Sequence, residues 1–369
     1  MIEAELNKDF EAKFAKRDTI KLLSTAIKQF SSFYQHLDLL TTENQINCCF
    51  LLAFWHMKSK AKSKIKEALK YNNKAIELIC NGTTHGIIHD LSEALFQKAK
   101  ILSQLADFNK AERIFDSYVS LIFSPLVNDP HQLDNGSAKS FYSYRSINTF
   151  TLKDLINNEI TVVNPSKFND PFDCLFYQLL DPQKPNSFDD KALKKSFGKV
   201  RIRSFVAEES LPPKSEERKI HPAHDMLMWS HYTTDHKGIC VKYTLSNQFP
   251  ENKLGTFSQF FNENYTDAKV VDISNATKMD LTEGYLTKQK CWEQEQEIRL
   301  LYFDPECNSD FVSLPLDKES RVAAIYFGLY CNDEDIRMIK NIFKGQNVDF
   351  YEMKKSLTDI YNLTAKKIE

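Results

Sequence analysis

The first third of the chain follows the apolar spacing of amphipathic helices. Between residues 22 and 33, apolar side chains recur every three or four positions, which places them on one face of a helix. No proline precedes Pro125, and glycine occurs in this part only at positions 82 and 86. We therefore predict an all-helical domain over residues 1–124.

A pattern of large, small and aromatic residues around a turn occurs within this helical domain. Its more specific copy consists of Leu95, Ala99, Leu102, Asp107, Phe108, Ala111 and Phe115. The order resembles the tetratricopeptide repeat, in which small residues allow two antiparallel helices to approach closely. A looser copy at residues 67–75 extends the predicted array over roughly residues 40–122; the alternative is a generic helical bundle. Either arrangement is expected to bind a protein partner on a concave face of stacked helices.

The hydrophobic pattern changes after a turn-rich segment at residues 125–140, which we interpret as a linker. In the following domain, residues 141–369, residues 333–343 predict a helix, and residues 181–222 predict a helix and a mobile loop. Short β-rich runs predict strands at 141–145, 160–163, 238–243, 297–303, 322–327 and 348–351. The predicted fold class is α+β, with a helical array followed by a mixed α/β domain.

Composition narrows the function classes. The chain has only nine glycines and contains neither a G-x-G-x-x-G nor a Walker A motif, which argues against Rossmann and P-loop sites. The formal net charge of −2 supplies no overall field for nucleic acid, although a local basic groove is compatible with it. The eight cysteines form no Cys-x-x-Cys pair, so no structural zinc is expected. With no signal segment or membrane-spanning run, we expect a cytoplasmic protein.

Polar motifs in the second domain suggest a binding cleft. In an extended strand, Glu295, Glu297 and Arg299 would share one face. At a cleft, one of these glutamates would bind a sugar hydroxyl or stabilise a developing cation; the alternative is a surface ion pair. Trp229, His231 and Tyr232 would suit a flat ring ligand, whereas the alternative is a helix that packs its tryptophan on the core.

Two further motifs complete the candidate set. Arg145, after Tyr142-Ser143-Tyr144, suits a carboxylate or a phosphate partner. Residues 164–173 predict a turn held by side-chain-to-backbone hydrogen bonds, with metal binding through Asp170 and Asp173 as the alternative.

In this order, the motifs together resemble a bacterial family catalogued as domain of unknown function 2971. The resemblance covers about residues 140–352. It rests on Tyr144-Arg145, Asn169 to Asp173, Met228 to Tyr232, His236-Lys237-Gly238, Trp292, Glu295, Glu297, Arg299 and Ile325 to Gly328. That family is distantly similar to ADP-ribosyltransferases, which implies a split, mostly antiparallel sheet that binds NAD without a glycine-rich loop.

The resemblance also implies roles for individual residues. Transferases of this kind use an Arg or His, then a Ser or Tyr, then a Glu; Arg145 matches the first element, Ser230 or Tyr232 the second, and Glu297 or Glu295 the third. Arg145 would hold the NAD diphosphate or ribose, Tyr232 would stack on nicotinamide, and Glu297 would stabilise the cation formed as nicotinamide leaves. The expected catalytic residues are Glu297, Glu295 and Tyr232, and the expected NAD-binding residues are Arg145, Tyr144, Ser230, His231, Trp229 and Arg299, with no metal.

The function implied is an ADP-ribosyltransferase-like toxin or phage-defence effector, regulated through its helical domain and acting on an unspecified protein or nucleic acid. It requires Arg145, Tyr232 and Glu297 to converge. A non-catalytic nucleotide- or peptide-binding module on the helical scaffold is one alternative, in which those residues would point apart or be covered. A metal-dependent nuclease is the other, and would cluster its carboxylates at metal-ligand distances.

Overall fold

The structure is a computed structural model of the 369-residue chain. It describes residues 2–59, 61–82, 87–122, 139–170, 173–174, 192, 195–196, 198–207, 221–246, 249–250, 257–262, 264–267, 284–359 and 362–369. The chain forms two compact units. One contains the helices that precede residue 123 and is called the helical unit; the other contains every described strand and is called the sheet unit.

The predicted helical region is confirmed. The helices of this unit are α1 (Ile2–Ala15), α2 (Leu23–Tyr34), α3 (Thr42–Lys58), α4 (Lys62–Asn81), α5 (Ile87–Gln104) and α6 (Phe108–Ile122). Thr41 caps α3 by accepting a hydrogen bond from the backbone of Asn44. Ala99 of α5 and Ala111 of α6 are fully buried, and the left-handed Ala106 lies in the turn between these helices. No described helix is long and apolar enough to cross a membrane.

The described residues of the sheet unit form a large sheet together with α-helices and short 3₁₀ helices. The strands are β1 (Lys139–Arg145), β2 (Glu159–Val163), β3 (Val200–Ala207), β4 (Ile239–Leu245), β5 (Phe257–Asn262), β6 (Asn264–Thr266), β7 (Thr287–Gln289), β8 (Glu297–Phe303), β9 (Phe311–Pro315), β10 (Arg321–Phe327), β11 (Asp349–Lys355) and β12 (Leu363–Ile368). The α-helices include α7 (Thr149–Asn157), α8 (Met226–Tyr232) and α9 (Asp333–Ile342). The predicted linker, residues 125–140, lies outside the described residues up to residue 138, and β1 begins at Lys139.

The ten-stranded sheet follows the order β12-β11-β10-β4-β1-β3-β2-β9, with β8 attached to β3 and β5 attached to β8. Its neighbouring strands are antiparallel except β10 and β11. Strands β6 and β7 form a separate parallel pair. The predicted α+β architecture with a mostly antiparallel sheet is therefore confirmed.

The sheet divides at β3. One edge of β3 pairs with β8 from Val200 to Val206. The opposite edge pairs with β1 only at Val206 and Ala207, and with β2 only at Ile202. On that edge, residues 203–205 lie in a gap between β1 and β2, which we call the fork.

The prediction of a helix and a mobile loop over residues 181–222 was wrong at residues 200–207, which form β3. The segment alternates arginine with apolar residues, a strand pattern that the surrounding lysine-rich composition concealed. Arg201 is buried because its guanidinium donates to the carbonyl of Ser309. Arg201 can therefore lie in a central strand, because a backbone carbonyl accepts hydrogen bonds from its charged group.

Both faces of the sheet are buried. Consecutive residues of β1 point to opposite faces and belong to different apolar clusters: Phe141 lies in one cluster and Tyr142 in the other. On the first face, the rings of Phe141 and Phe260 stack with centroids 4.5 Å apart. On the second face, the fully buried Trp229 of α8 meets Tyr144 edge-on at 5.2 Å. Packing on both faces therefore fixes the positions of β1, β3 and β8 around the fork.

Candidate functional site

A cavity of about 540 Å³ opens at the fork. Its lining includes Tyr142–Arg145 of β1 and residues 202–206 of β3. Because consecutive residues of a strand point to opposite faces, a cavity lined by all of residues 202–206 must lie along the edge of β3. The volume is within the range of small-molecule sites.

An ionic cluster lies at one side of the cavity, and we define it as Asp173, Lys288, Glu295, Glu297 and Arg299; the first four line the cavity, and Arg299 lies behind them. The Lys288 Nζ lies 2.5 Å from Glu295 Oε2, 3.1 Å from Glu297 Oε2 and 3.8 Å from Asp173 Oδ2. Arg299 Nη2 donates to both oxygens of Asp173 at 2.8 Å, and its Nε donates to Glu297 Oε1 at 3.0 Å. All five side chains are buried, and each carboxylate faces at least one cation.

The chain between β7 and β8 explains how this cluster forms. Glu297 and Arg299 lie on one face of β8, as predicted. Glu295 does not belong to the strand; it ends a 3₁₀ helix, Lys290–Glu295. The left-handed Gln296, with φ of 48°, turns the chain between the two glutamates. Because of this turn, Glu295 and Glu297 both contact Lys288, although Glu295 does not share a strand face with Glu297.

The cluster sets the protonation states of its glutamates. Burial alone would raise the pKa of Glu297, but Arg299 and Lys288 outweigh it and lower this pKa to about 2. Burial raises the pKa of Glu295, partly offset by Lys288. Tyr232 donates to Glu295 Oε1 at 2.5 Å, and burial raises the pKa of its phenol. Near neutral pH, Glu297 is therefore an ionised acceptor and Tyr232 a neutral donor.

Two arginines lie at the other side of the fork. Arg145 Nη1 lies 2.5 Å from Oδ2 of the buried Asp154, which also accepts a hydrogen bond from Thr161 Oγ1. Arg203 of β3 donates through Nη2 to Ser143 Oγ at 2.5 Å. Burial and the neighbouring Arg145 lower the pKa of Arg203 to about 10, so it is still charged near neutral pH. We call Arg145 and Arg203, together with their partners Asp154 and Ser143, the basic end.

The structure brings part of the predicted site together. Arg145, Tyr232, Glu295 and Glu297 all line the cavity. Tyr144 borders it too, although its hydroxyl donates to the backbone oxygen of Pro222.

Other predicted residues lie away from the cavity lining. Trp229 is in the core, where its indole N–H donates to Ala223 O at 2.8 Å, as in the interpretation of a helix packing its tryptophan inward. Ser230 is exposed and bonds back to Met226 O at 2.9 Å. His231 is also exposed and borders a separate pocket of about 70 Å³. Arg299 is fully buried and positions Glu297 from behind.

Residues 228–300 match the family model described as a protein of unknown function, DUF2971. This DUF2971 segment contains six residues that line the cavity: Met228, Tyr232, Lys288, Trp292, Glu295 and Glu297. It supports the resemblance over these residues, which is less than the span of about residues 140–352 inferred from the motifs. No curated protein and no solved structure matches the chain.

Sequence reasoning missed Lys288 and Arg203. Lys288 lies outside the four motifs, and Arg203 lies in the segment that was interpreted as a helix and a loop. The alternation around Arg203 was the available signal. Lys288 carried no signal, because only the folded chain shows that its ammonium group reaches the glutamates.

The segment before Asp173 forms the predicted turn at residues that the structure describes. Asn164 accepts a hydrogen bond from the backbone of Ser166, and the backbone N–H of Asp173 donates to Asp170 O at 3.1 Å. Within the part of the chain that the structure describes, no group of three or more His, Cys, Asp and Glu side chains is arranged to hold a metal ion. The carboxylate of Asp173 faces Arg299 instead.

Proposed function

We propose that the cavity binds NAD and that the sheet unit is an ADP-ribosyltransferase-like enzyme. The observation that carries this proposal is the cavity at the fork, which is lined by the ionised Glu297 and by the arginines of the basic end. NAD carries a positive pyridinium ring and a negative diphosphate. A cavity that offers both signs of charge is complementary to such a ligand.

The proposed reaction breaks the bond between C1′ of the ribose and the nicotinamide nitrogen, and the electron pair leaves with nicotinamide. C1′ becomes positively charged, and Glu297 stabilises this charge as a preorganised carboxylate. A nucleophile of the acceptor then forms a bond to C1′ and releases a proton. Glu295, whose pKa is raised by burial, is suited to accept that proton. Tyr232 positions Glu295 and offers its ring to nicotinamide.

The test is release of nicotinamide from NAD by the full-length chain, measured by chromatography with and without cell lysate as a source of acceptor. Glu297→Gln should lower the rate by about 10²–10³-fold, as expected for loss of one preorganised electrostatic group. Glu293→Gln is the matched control, because Glu293 is an exposed carboxylate on the adjacent 3₁₀ helix, and it should keep the wild-type rate. Equal rates for Glu297→Gln and wild type would refute the catalytic role.

A non-catalytic nucleotide-binding module is the second candidate. It is favoured by the mutual pairing of the ionic cluster, since each carboxylate already has a cation partner in the absence of ligand. In that case NAD would bind but nicotinamide would not be released. The metal-dependent nuclease draws no support from Asp173, Glu295 and Glu297, whose carboxylates face Lys288 and Arg299.

For the helical unit, the proposed role is binding of a protein partner through tetratricopeptide-like helix pairs. The buried Ala99 and Ala111 support this resemblance, because they allow α5 and α6 to pack closely. A groove of about 450 Å³ in this unit is lined by basic and apolar side chains, namely Lys62, Lys66, Lys98, Lys110, Arg113, Leu69, Leu102, Leu105 and Ile114, together with Asn73 and Asp107. The groove is complementary to an acidic segment that also carries apolar residues.

A further inference from the structure

We propose that Arg203 forms an anion subsite that holds the diphosphate of the nucleotide ligand. The inference deepens the proposed function and rests on it for the identity of the ligand. It assigns the diphosphate to a residue that sequence reasoning did not select. Arg145, the expected diphosphate ligand, becomes a supporting residue.

The hydrogen bonding of Arg203 is incomplete. Its Nη2 donates to Ser143 Oγ, but its buried Nε has no hydrogen-bond partner among the described residues. An unsatisfied buried donor on a charged group destabilises the free protein. The side chain lines the cavity, so a ligand entering the fork can supply the missing acceptor.

Positive charge exceeds negative charge at the basic end. The carboxylate whose field reaches Arg203 is that of Asp154, which is paired with Arg145 at 2.5 Å. Asp154 also accepts from Thr161 Oγ1 at 2.5 Å and from the Thr161 backbone N–H at 3.3 Å. One carboxylate therefore serves two neighbouring guanidinium groups, which leaves positive charge uncompensated. Burying such a charge costs desolvation free energy, and binding of an anion beside it would offset this cost.

The donors of Arg203 and Ser143 suit the oxygens of a phosphate group. A guanidinium presents parallel N–H donors that match phosphate oxygens, and Ser143 Oγ adds a hydroxyl beside them. The cavity also extends to Tyr232 and Glu297, so its volume of about 540 Å³ exceeds the need of a single phosphate. A diphosphate within a larger nucleotide accounts for both the charge and the remaining space.

The experiment is calorimetric titration of the full-length chain with ADP, pyrophosphate and adenosine. Wild type should bind ADP and pyrophosphate, with adenosine much weaker. Arg203→Gln should lower the affinity for ADP about 10- to 100-fold, the loss expected when a hydrogen-bonded charge is removed. Arg321→Gln is the matched control, because Arg321 is an exposed arginine on β10, and it should bind ADP as wild type does.

Folding of the variant is checked by thermal melting without ligand. Arg203→Gln removes an uncompensated charge, so its melting temperature should equal or exceed that of wild type. If this variant does not fold, Arg203→Lys replaces it; this change keeps the charge but loses the planar fork, and should still weaken ADP binding.

The results separate this inference from the proposed function. ADP binding that depends on Arg203, without nicotinamide release from NAD, supports the subsite and overturns the enzyme. Nicotinamide release that depends on Glu297, with unchanged ADP affinity and unchanged KM for NAD in Arg203→Gln, overturns the subsite and leaves the enzyme. Absence of ADP and pyrophosphate binding by wild type at millimolar concentration would also overturn the subsite.

Discussion

Removing Lys288 should destabilise the sheet unit in a way that depends on pH. Lys288 Nζ is within 3.1 Å of carboxylate oxygens of both Glu295 and Glu297. Lys288→Met keeps a chain of similar length, leaves Asp173 and Glu297 paired with Arg299, and removes the ammonium group that Glu295 faces. Breaking a buried ion pair from one side typically costs about 3–5 kcal/mol, and we expect a loss of that size in the free energy of unfolding at pH 7.

The sign of the pH dependence follows from the lowered pKa of Glu297. A carboxyl group whose pKa is lower in the folded protein contributes stability above its unfolded pKa and loses it as the pH falls through the folded pKa. Lys288→Met removes part of this contribution. The difference from wild type should therefore be present in full at neutral pH, and should shrink as the pH falls from the unfolded pKa of glutamate, about 4.3, toward the folded pKa of about 2.

The assay is urea denaturation followed by tryptophan fluorescence at pH 7 and at about pH 3, which lies between the folded and unfolded pKa values of Glu297. A Trp55→Phe background leaves Trp229 and Trp292 of the sheet unit as reporters. Lys290→Met is the matched control, since Lys290 is exposed two residues away, and should change stability by less than about 0.5 kcal/mol. A cost below about 1 kcal/mol for Lys288→Met at pH 7, or a cost that is larger at about pH 3 than at pH 7, would refute the reasoning.

Two further predictions concern packing and the helical groove. A Cβ added at Gly238 would lie 2.2 Å from a backbone oxygen of β1, so Gly238→Ala should cost at least about 2 kcal/mol in denaturant unfolding. Gly345→Ala meets no atom within 4 Å but has φ of +81°, and should cost only about 1 kcal/mol; equal costs would contradict the contact argument. In the helical unit, Lys66→Glu combined with Lys98→Glu should weaken binding of a labelled peptide of alternating glutamate and leucine about tenfold or more in fluorescence anisotropy. Lys28→Glu, an exposed change on α2, should not, and a similar loss there would show that the groove is not the binding surface.

Local patterns in the sequence were sufficient for many elements of the fold. The bounds predicted for β8, residues 297–303, are those of the structure, because an apolar, β-branched and aromatic run is typical of a buried strand. The helix at 333–343 was also found, since Asn332 and the acidic residues that follow it form a strong helix start. These signals are contained within a few neighbouring residues.

The fork could not be predicted in this way. It depends on which strand lies beside each edge of β3, and the pairing of Val206 with Glu297 joins residues far apart in the chain. The same limit applies to Lys288, whose significance arises only when β7 brings it beside Glu295 and Glu297. Sequence reasoning therefore identified the two glutamates as candidates but could not identify the cation that holds them.

Two features at the fork, the buried ionic cluster and the unsatisfied guanidinium nitrogen of Arg203, are unfavourable for stability and are consistent with a ligand site. A buried ionic cluster is often less stabilising than apolar residues of the same volume, and an unsatisfied buried guanidinium nitrogen is costly. In this chain, four members of the ionic cluster and Arg203 line the same cavity. Where a fold departs from the arrangement that would stabilise it best, the usual compensation is function. The basic end has the carboxylate of Asp154 facing two guanidinium groups, and the ionic cluster supplies ionised carboxylate, so a ligand that carries both an anionic and a cationic group would complement both ends of the cavity.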